Sequence, residues 1–427
     1  MAHTRSDPVV VVSNDTHIGP RLVDDLRQYC PSAHLEDFDW FAAETAEQLQ
    51  ATISTFNGGG FVHHPNLRTL GHYDSAARLA DYDYDGIAAG VIFHGSMNME
   101  PIPFVSPALG AKHQVAGELV AVGQHIYNRW LADFVSQSPH RHIGLAYLPM
   151  WDVERAVAEV EWAHEAGLRG VNFPAMRDGE LLEYNDPSWE PLWAVCEERQ
   201  MPLVTHIGGG SKARYSGPEK VPLIQFESAY MSRRAVWWLI LAGVFERRPG
   251  LKLVITETPG NWFPGTAIEL DAIHRYYTDR DTPLNAEFVE RVPQLPSEYM
   301  KTNVFVGASF ASAFEVEQAI LHGLDTQVLW GSDYPHLEGT FLNSDDRDLP
   351  SVTRLALRNT FCEVPAAQTL RMVGENAIEV YNLDAAALRA VAREIDALTT
   401  DDLAMPIDAV PAGASRAAFR SGQGGWS

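Results

Sequence analysis

Gly331 to Thr340 reads GSDYPHLEGT, and it follows the short apolar run Gln327 to Trp330. An apolar run that ends in a small-residue turn places Asp333 where a buried strand meets a loop. A carboxylate there is costly without a partner, and a metal ion or a proton to transfer is the usual compensation. Pro335 stiffens the turn, and His336 lies three residues beyond Asp333. Alone, the stretch also fits a turn-capping aspartate. The other strand ends decide between the two readings.

Working outward, the same unit recurs. Val9 to Val12 is a β-branched run that reads as a strand buried on both faces. Further runs are Gly86 to Phe93, Ile143 to Leu148, Gly170 to Phe173, Pro202 to Thr205, Leu251 to Thr256 and Asn303 to Val306, with Gln327 to Trp330 as the eighth. Helical patterns lie between them. Val115, Leu119, Val122, Ile126 and Trp130 share one face within Gly110 to Ser136, Asp152 caps a helix that stops at Gly167, and Ala235 to Phe245 is a strong apolar helix. Eight strands alternating with helices predict an α/β chain folded as a (β/α)8 TIM barrel. Arg21 to Asp85 is a long polar insertion after strand one, and its His63-His64 pair reads as solvated or capping rather than as ligands. The metal-dependent barrel domain is expected over 1–383. Residues 384–427 form a C-terminal helical appendage whose tail is disordered or a subunit-contact arm.

Composition narrows the function. The 427 residues are 46% hydrophobic and 21% charged, enough for a full core. A net charge of −24 leaves no basic stripe for phosphates and excludes nucleic acid as a partner. Cys30, Cys196 and Cys362 have no metal or redox spacing, which with the absence of an apolar leader predicts a cytoplasmic, reduced setting. No apolar run is long enough to span a membrane. The expected partners are a small-molecule substrate and further copies of the chain, as a homodimer or higher homo-oligomer.

In such barrels chemistry gathers at the C-terminal strand ends. Asp15 and His17 follow strand one, His206 strand five, Glu257 strand six and Asp333 strand eight. Asp15 and His17 are two apart, so an extended backbone points both to one side. Imidazoles and carboxylates together suit a borderline divalent ion such as zinc, with manganese as the alternative.

These motifs resemble a known family. Asp15-x-His17, the His206-Ile207-Gly208-Gly209-Gly210 turn, Glu257 through Trp262 and Gly331 through His336 resemble the amidohydrolase superfamily. The likeness is to its amidohydrolase-2 group, around amino-carboxymuconate-semialdehyde decarboxylase. Leu148-Pro149 through Asp152, Asn185-Asp186-Pro187 with Pro191-Leu192-Trp193, and Gly374 through Ala377 support it. The resemblance implies a mononuclear site ligated by Asp15, His17, His206 and Asp333, with Asp333 also relaying protons. Two departures stand out: Asp15 replaces the first histidine of a common His-x-His, and Glu257 stands where the decarboxylases of the group place a histidine. Strand four offers no lysine to carbamylate, which disfavours a bridged two-metal site.

The leading expectation is therefore a hydrolase in which metal-activated water attacks a small organic substrate, with Asp333, Glu257 and His336 as catalytic residues. A non-oxidative decarboxylase of an unsaturated or aromatic acid is the alternative, and a catalytically silent ligand-binding barrel is a third reading. Trp262, Arg177, Lys212 and Arg214, on loops after strands four to six, are the expected substrate contacts.

Overall fold

The computed structural model of the protein describes residues 7–55, 63–105, 117–175, 182–208, 217–258, 260–279 and 283–420. Eight strands pair in parallel and in chain order: β1 (Val12–Ile18), β2 (Ala89–His94), β3 (His142–Tyr147), β4 (Gly170–Asn172), β5 (Leu203–His206), β6 (Leu253–Thr256), β7 (Val304–Ser309) and β8 (Val328–Gly331). The ring returns to its start just past β8. Thr16 bridges Tyr334, the His17 amide donates to the Tyr334 carbonyl at 2.5 Å, and the Asp333 amide donates to the Asp15 carbonyl at 2.9 Å. The result is the expected (β/α)8 barrel.

Side chains alternate across each strand. Val91, Phe93, Val204, Val254 and Leu329 belong to a core inside the barrel, with Tyr381 and Leu388 among its members. Ile92, Leu203, Leu253, Ile255 and Trp330 face a larger core under the helices. This parity aims the strand ends: His206 lies two residues past Val204, and Gly331 and Asp333 lie two and four past Leu329, all on the inward face.

β1 differs from its expected span of Val9 to Val12. It runs to Ile18, so Asp15 and His17 sit within the strand rather than after it. Main-chain pairing with β2 on one side and Tyr334 on the other holds Ser13 to Ile18 extended without apolar side chains. A register shift between Ser13 and Thr16 changes the parity, so Asp15 and His17 both turn inward. Two glycines leave room for this. A Cβ on Gly331 would lie 2.8 Å from the Asp15 Cβ, and one on Gly307 would lie 2.5 Å from the Asn14 amide nitrogen.

The insertion after β1 contains α1 (Leu35–Thr55) and α2 (Ser75–Asp85). Further along come α3 (Glu118–Ser136), α4 (Val153–Glu165), α5 (Glu190–Glu198), α6 (Lys220–Leu241), α7 (Val244–Arg247) and α8 (Trp262–Thr278). Asp152 caps α4 through the Arg155 amide, and His64 caps a 3-10 turn through the Asn66 amide. The tail packs, over 399–420, on its own barrel: Arg420 pairs with the buried Glu315 and donates to the Phe310 carbonyl, and the Ser415 hydroxyl donates to the Glu338 carbonyl. No helix among the described residues is long and apolar enough to cross a membrane.

Candidate metal centre

Four side chains converge at the C-terminal rim. The His17 Nε2 lies 3.2 Å from the Asp15 Oδ1 and 3.3 Å from the Asp333 Oδ1. The His206 Nε2 lies 3.5 Å from the same Asp15 oxygen. Three of them are held from behind. The His17 Nδ1 faces the His94 carbonyl at 3.3 Å and the His206 Nδ1 faces the Ile207 carbonyl at 2.9 Å, so both rings carry their proton on Nδ1 and present the Nε2 lone pair to the centre. The Ser309 hydroxyl donates to the Asp15 Oδ2 at 2.5 Å and leaves Oδ1 free.

The inward atoms lie close to one another but form no hydrogen bond. Asp15 Oδ1, His17 Nε2, His206 Nε2 and both Asp333 carboxylate oxygens are buried and make no hydrogen bond. Buried polar groups are almost always paired, so five such atoms in one cluster call for a group that accepts lone pairs. A divalent cation fits that requirement: the ligand atoms of Asp15, His17 and His206 lie within 4.8 Å of one another, as do those of His17, Asp333 and His336.

Three more ionisable groups surround the four. The His336 ring stacks on His17 with centroids 4.0 Å apart, its Nδ1 lies 3.0 Å from the Asp333 Oδ1, and its Nε2 lies 2.9 Å from the Gly95 carbonyl. The Glu257 Oε2 lies 3.4 Å from the His206 Nε2. Glu338 joins Glu257 and Asp333 in a third group of ligand atoms. Glu257 and Asp333 take φ of 57° and 56°, the left-handed region, where a non-glycine residue costs about 1–3 kcal/mol. Such strain concentrates where a side chain must be aimed.

The electrostatics follow from packing carboxylates against imidazoles. Burial opposes ionisation of Asp15, but His206 and His17 outweigh it and hold the carboxyl below the usual range. Burial likewise opposes charge on His206, yet Asp15 and Glu257 raise it to about 9. Burial, then the neighbouring Asp333 and Asp15 charges, pushes Glu257 well above the ordinary glutamate value, against His206. His336 is raised well above its ordinary value because Asp333 overcomes the effect of burial. The cluster is short of positive charge and draws protons in its place.

The expected substrate contacts are placed unevenly. Trp262 opens α8, buried, and its Nε1 donates to the Thr258 hydroxyl at 3.3 Å. Arg177, Lys212 and Arg214 lie outside the described residues. Sequence reasoning passed over Ser309, although the strand-end rule applied to β7 would have found it. Glu338 stood unremarked in the opening stretch. Phe93, whose ring centroid lies 4.9 Å from His206 and 5.9 Å from His17, reads locally as an ordinary strand residue. Arg78, fully buried, donates to the His17 carbonyl at 2.7 Å and the Thr16 hydroxyl at 2.6 Å, and no local pattern marked it.

Comparison with known proteins identifies the family. A family model described as Amidohydrolase matches residues 84–383. The 2-amino-3-carboxymuconate-6-semialdehyde decarboxylase of Dictyostelium discoideum is 26% identical over 267 residues, 60% of this chain and 66% of that protein. The chain thus spans just under two thirds of that relative's length. Among solved structures, the 5-carboxyvanillate decarboxylase of Novosphingobium aromaticivorans, complexed with manganese and 4-hydroxy-3-methoxy-5-nitrobenzoic acid, superposes with a TM-score of 0.58 at 17% identity, over 88% of this chain and 96% of that one. The 2,6-dihydroxybenzoate decarboxylase from Rhizobium gives 0.53 at 18% identity, over 88% and 99%. At these identities the structural likeness speaks to the fold alone.

Proposed function

The chain belongs to the amidohydrolase family and is an enzyme of that superfamily, and from that premise we propose that it is a metal-dependent carboxy-lyase of a small unsaturated or aromatic acid. The observation that carries the metal dependence is the set of five buried atoms on Asp15, His17, His206 and Asp333 that make no hydrogen bond. These residues would hold one divalent ion, manganese or zinc. Such an ion supplies Lewis acidity to a substrate oxygen.

The residues of the chain do the rest. Loss of carbon dioxide breaks a carbon–carbon bond, leaves the electron pair on the substrate carbon, and requires a proton there. His336 faces an oxygen from each ring nitrogen, with Asp333 Oδ1 at ion-pair distance, 3.0 Å, and the Gly95 carbonyl at 2.9 Å, which favours the doubly protonated ring. The Asp333–His336 pair thus holds a proton beside the ligand cluster and is the donor in this reading. Phe93 walls the centre beside His17 and His206.

The ranking of hydrolysis above decarboxylation rested on the missing strand-six histidine. His336 supplies an imidazole from β8 instead, and the curated relative is itself a decarboxylase. Hydrolysis stays as the second reading on one observation: Glu257 places a buried carboxylate beside His206, in position to serve as a general base. A catalytically silent barrel is set aside, because the chain is an enzyme of its superfamily.

The test is product analysis on protein loaded with manganese or zinc. Aromatic and unsaturated carboxylic acids are assayed beside lactones and amides, in deuterated solvent. Carbon dioxide release with deuterium on the former carboxyl carbon is expected. Hydrolysis of a lactone or amide without it would shift the assignment to Glu257, and protein that binds no divalent ion would end both readings.

A further inference from the structure

Two neighbours on β1 face the barrel interior together. Asp15 accepts the Ser309 hydroxyl with one oxygen and turns the other toward His206. The Asn14 side chain, fully buried, also reaches inward residues: its Nδ2 donates to the Thr256 hydroxyl at 3.3 Å, and its Oδ1 accepts from the Tyr381 hydroxyl at 2.8 Å. Consecutive residues of a regular strand point to opposite sides. The register shift between Ser13 and Thr16 lifts that rule, and the Asn14 amide is the handle by which the interior holds it. A buried amide has no water to turn to, so its two hydrogen bonds fix the direction of this segment.

Tyr381 comes from the other end of the chain and from the other end of the barrel. It follows the short helix Asn376–Val380 and belongs to the inner core with Val12 and Ala89, the first residues of β1 and β2. The segment before it is fastened to the two strands that meet at the barrel seam. The Asn376 amide donates to the Val328 carbonyl at 2.8 Å and to the Asp325 carbonyl at 2.7 Å, at the start of β8. Gly374 approaches the chain leading into β1 so closely that a Cβ would lie 2.1 Å from the Val10 carbonyl oxygen. Residues 374–381 thus tie β8 to β1 beneath the centre, and the Tyr381 hydroxyl carries that tie to the residue before Asp15.

We propose that Tyr381 is a positioning residue of the centre: through Asn14 it holds the β1 bulge that turns Asp15 and His17 toward the ligand cluster. This rests on the reading of that cluster as a metal site. Without the hydroxyl, the Asn14 oxygen is a buried acceptor that has lost its donor, and the amide gains by turning out of its place. Asp15, the next residue, turns with it.

The test sets manganese titration, followed by electron paramagnetic resonance, beside urea unfolding of the metal-free protein. Tyr381→Phe, which keeps the ring and removes only the hydroxyl, should weaken manganese binding about tenfold, the lower end of what a group behind a ligand contributes. Asn14→Ala should weaken it at least as much, and adding Tyr381→Phe to Asn14→Ala should change it no further, because the two act along one route. Leu388→Ala is the structural control. Leu388 is fully buried in the same inner core and offers no hydrogen bond, so its loss should lower the urea midpoint and leave manganese affinity unchanged. Unaltered manganese affinity in Tyr381→Phe overturns the proposal. So do additive losses in the double variant, and so does a Leu388→Ala variant that loses as much affinity as Tyr381→Phe, which would make the effect a general loosening of the barrel. If Asn14→Ala does not fold, the comparison of Tyr381→Phe with Leu388→Ala decides alone. Wild-type protein that binds no manganese would instead remove the reading of the centre, and this one with it.

Discussion

Replacing Arg78 by methionine tests how the barrel holds its two main ligand segments together. The guanidinium donates to the His17 carbonyl at 2.7 Å, the Gly71 carbonyl at 3.2 Å, the Thr16 hydroxyl at 2.6 Å and the Tyr82 hydroxyl at 2.9 Å. It also lies 4.8 Å from the ring centroid of Tyr334, the residue after Asp333. It is fully buried, and among the described residues no carboxylate forms an ion pair with it. Methionine fills the volume of the stem but removes the donors facing the His17 and Gly71 carbonyls, and a buried acceptor left unpaired costs about 1–3 kcal/mol. Relief of the desolvated charge offsets part of this, so the net loss should be about 3 kcal/mol. The second consequence is specific to the centre. With the His17 carbonyl released and the stack on Tyr334 gone, the ligands on β1 and beyond β8 lose their common brace, and manganese affinity should fall about 10–100-fold. Urea unfolding of the metal-free protein by circular dichroism measures the first effect, and manganese titration followed by electron paramagnetic resonance measures the second. Stability within about 0.5 kcal/mol of wild type, the range of a surface substitution, would refute the reasoning. A destabilised variant with unaltered manganese affinity would leave Arg78 a structural residue only.

Asp333→Asn keeps the size of the side chain but cannot hold a proton with His336, so turnover on the substrate found by product analysis should fall about 10²–10⁴-fold; near-normal turnover would make Asp333 structural. Ser309→Ala frees the Asp15 Oδ2 that its hydroxyl holds and should weaken manganese binding about 10–100-fold with little change in unfolding midpoint, as equilibrium dialysis would show. Asp85 is buried, and burial raises its pKa to about 7 from 3.8, although the Ser351 and Thr353 hydroxyls donate to it. Because the folded value is the higher one, its contribution is complete below about pH 4 and is lost as pH rises through about 7, an effect of the order of 4 kcal/mol. The difference in stability between wild type and Asp85→Asn, measured in urea from pH 5 to 8, should therefore shift against the wild type as pH rises, and parallel curves would contradict it.

Much of the centre was legible because strand ends are local features. An apolar run followed by Asp, His or Glu can be read from a few consecutive residues, and in a parallel barrel every such end reaches one rim. Asp15, His17, His206, Glu257 and Asp333 were found in this way. Ser309 and Glu338 were as accessible, one at the end of β7 and the other inside the opening stretch, but neither residue type announces chemistry by itself. Arg78 was not legible. It lies on a helix, where an arginine ordinarily means a solvated face, and only packing shows that it is fully buried.

The sequence alone determined the alternation of strands and helices, and with it the barrel and the rim where carboxylates and imidazoles gather, because periodicity and strand-end chemistry depend on near neighbours along the chain. Tertiary structure decided the rest. The register shift that turns both Asp15 and His17 inward exists because β1 is squeezed between β2 and Tyr334. The stacking of His336 on His17 depends on the barrel closing, which brings residues more than 300 positions apart within 3.3 Å of each other. That stacking sets His336, local to Asp333 in the sequence, beside the β1 ligands, and with the decarboxylase relative it moves the proposed chemistry from hydrolysis toward decarboxylation. Which charged groups are left without partners is likewise a property of the whole packed chain, since burial and pairing are fixed only when every neighbour is in place.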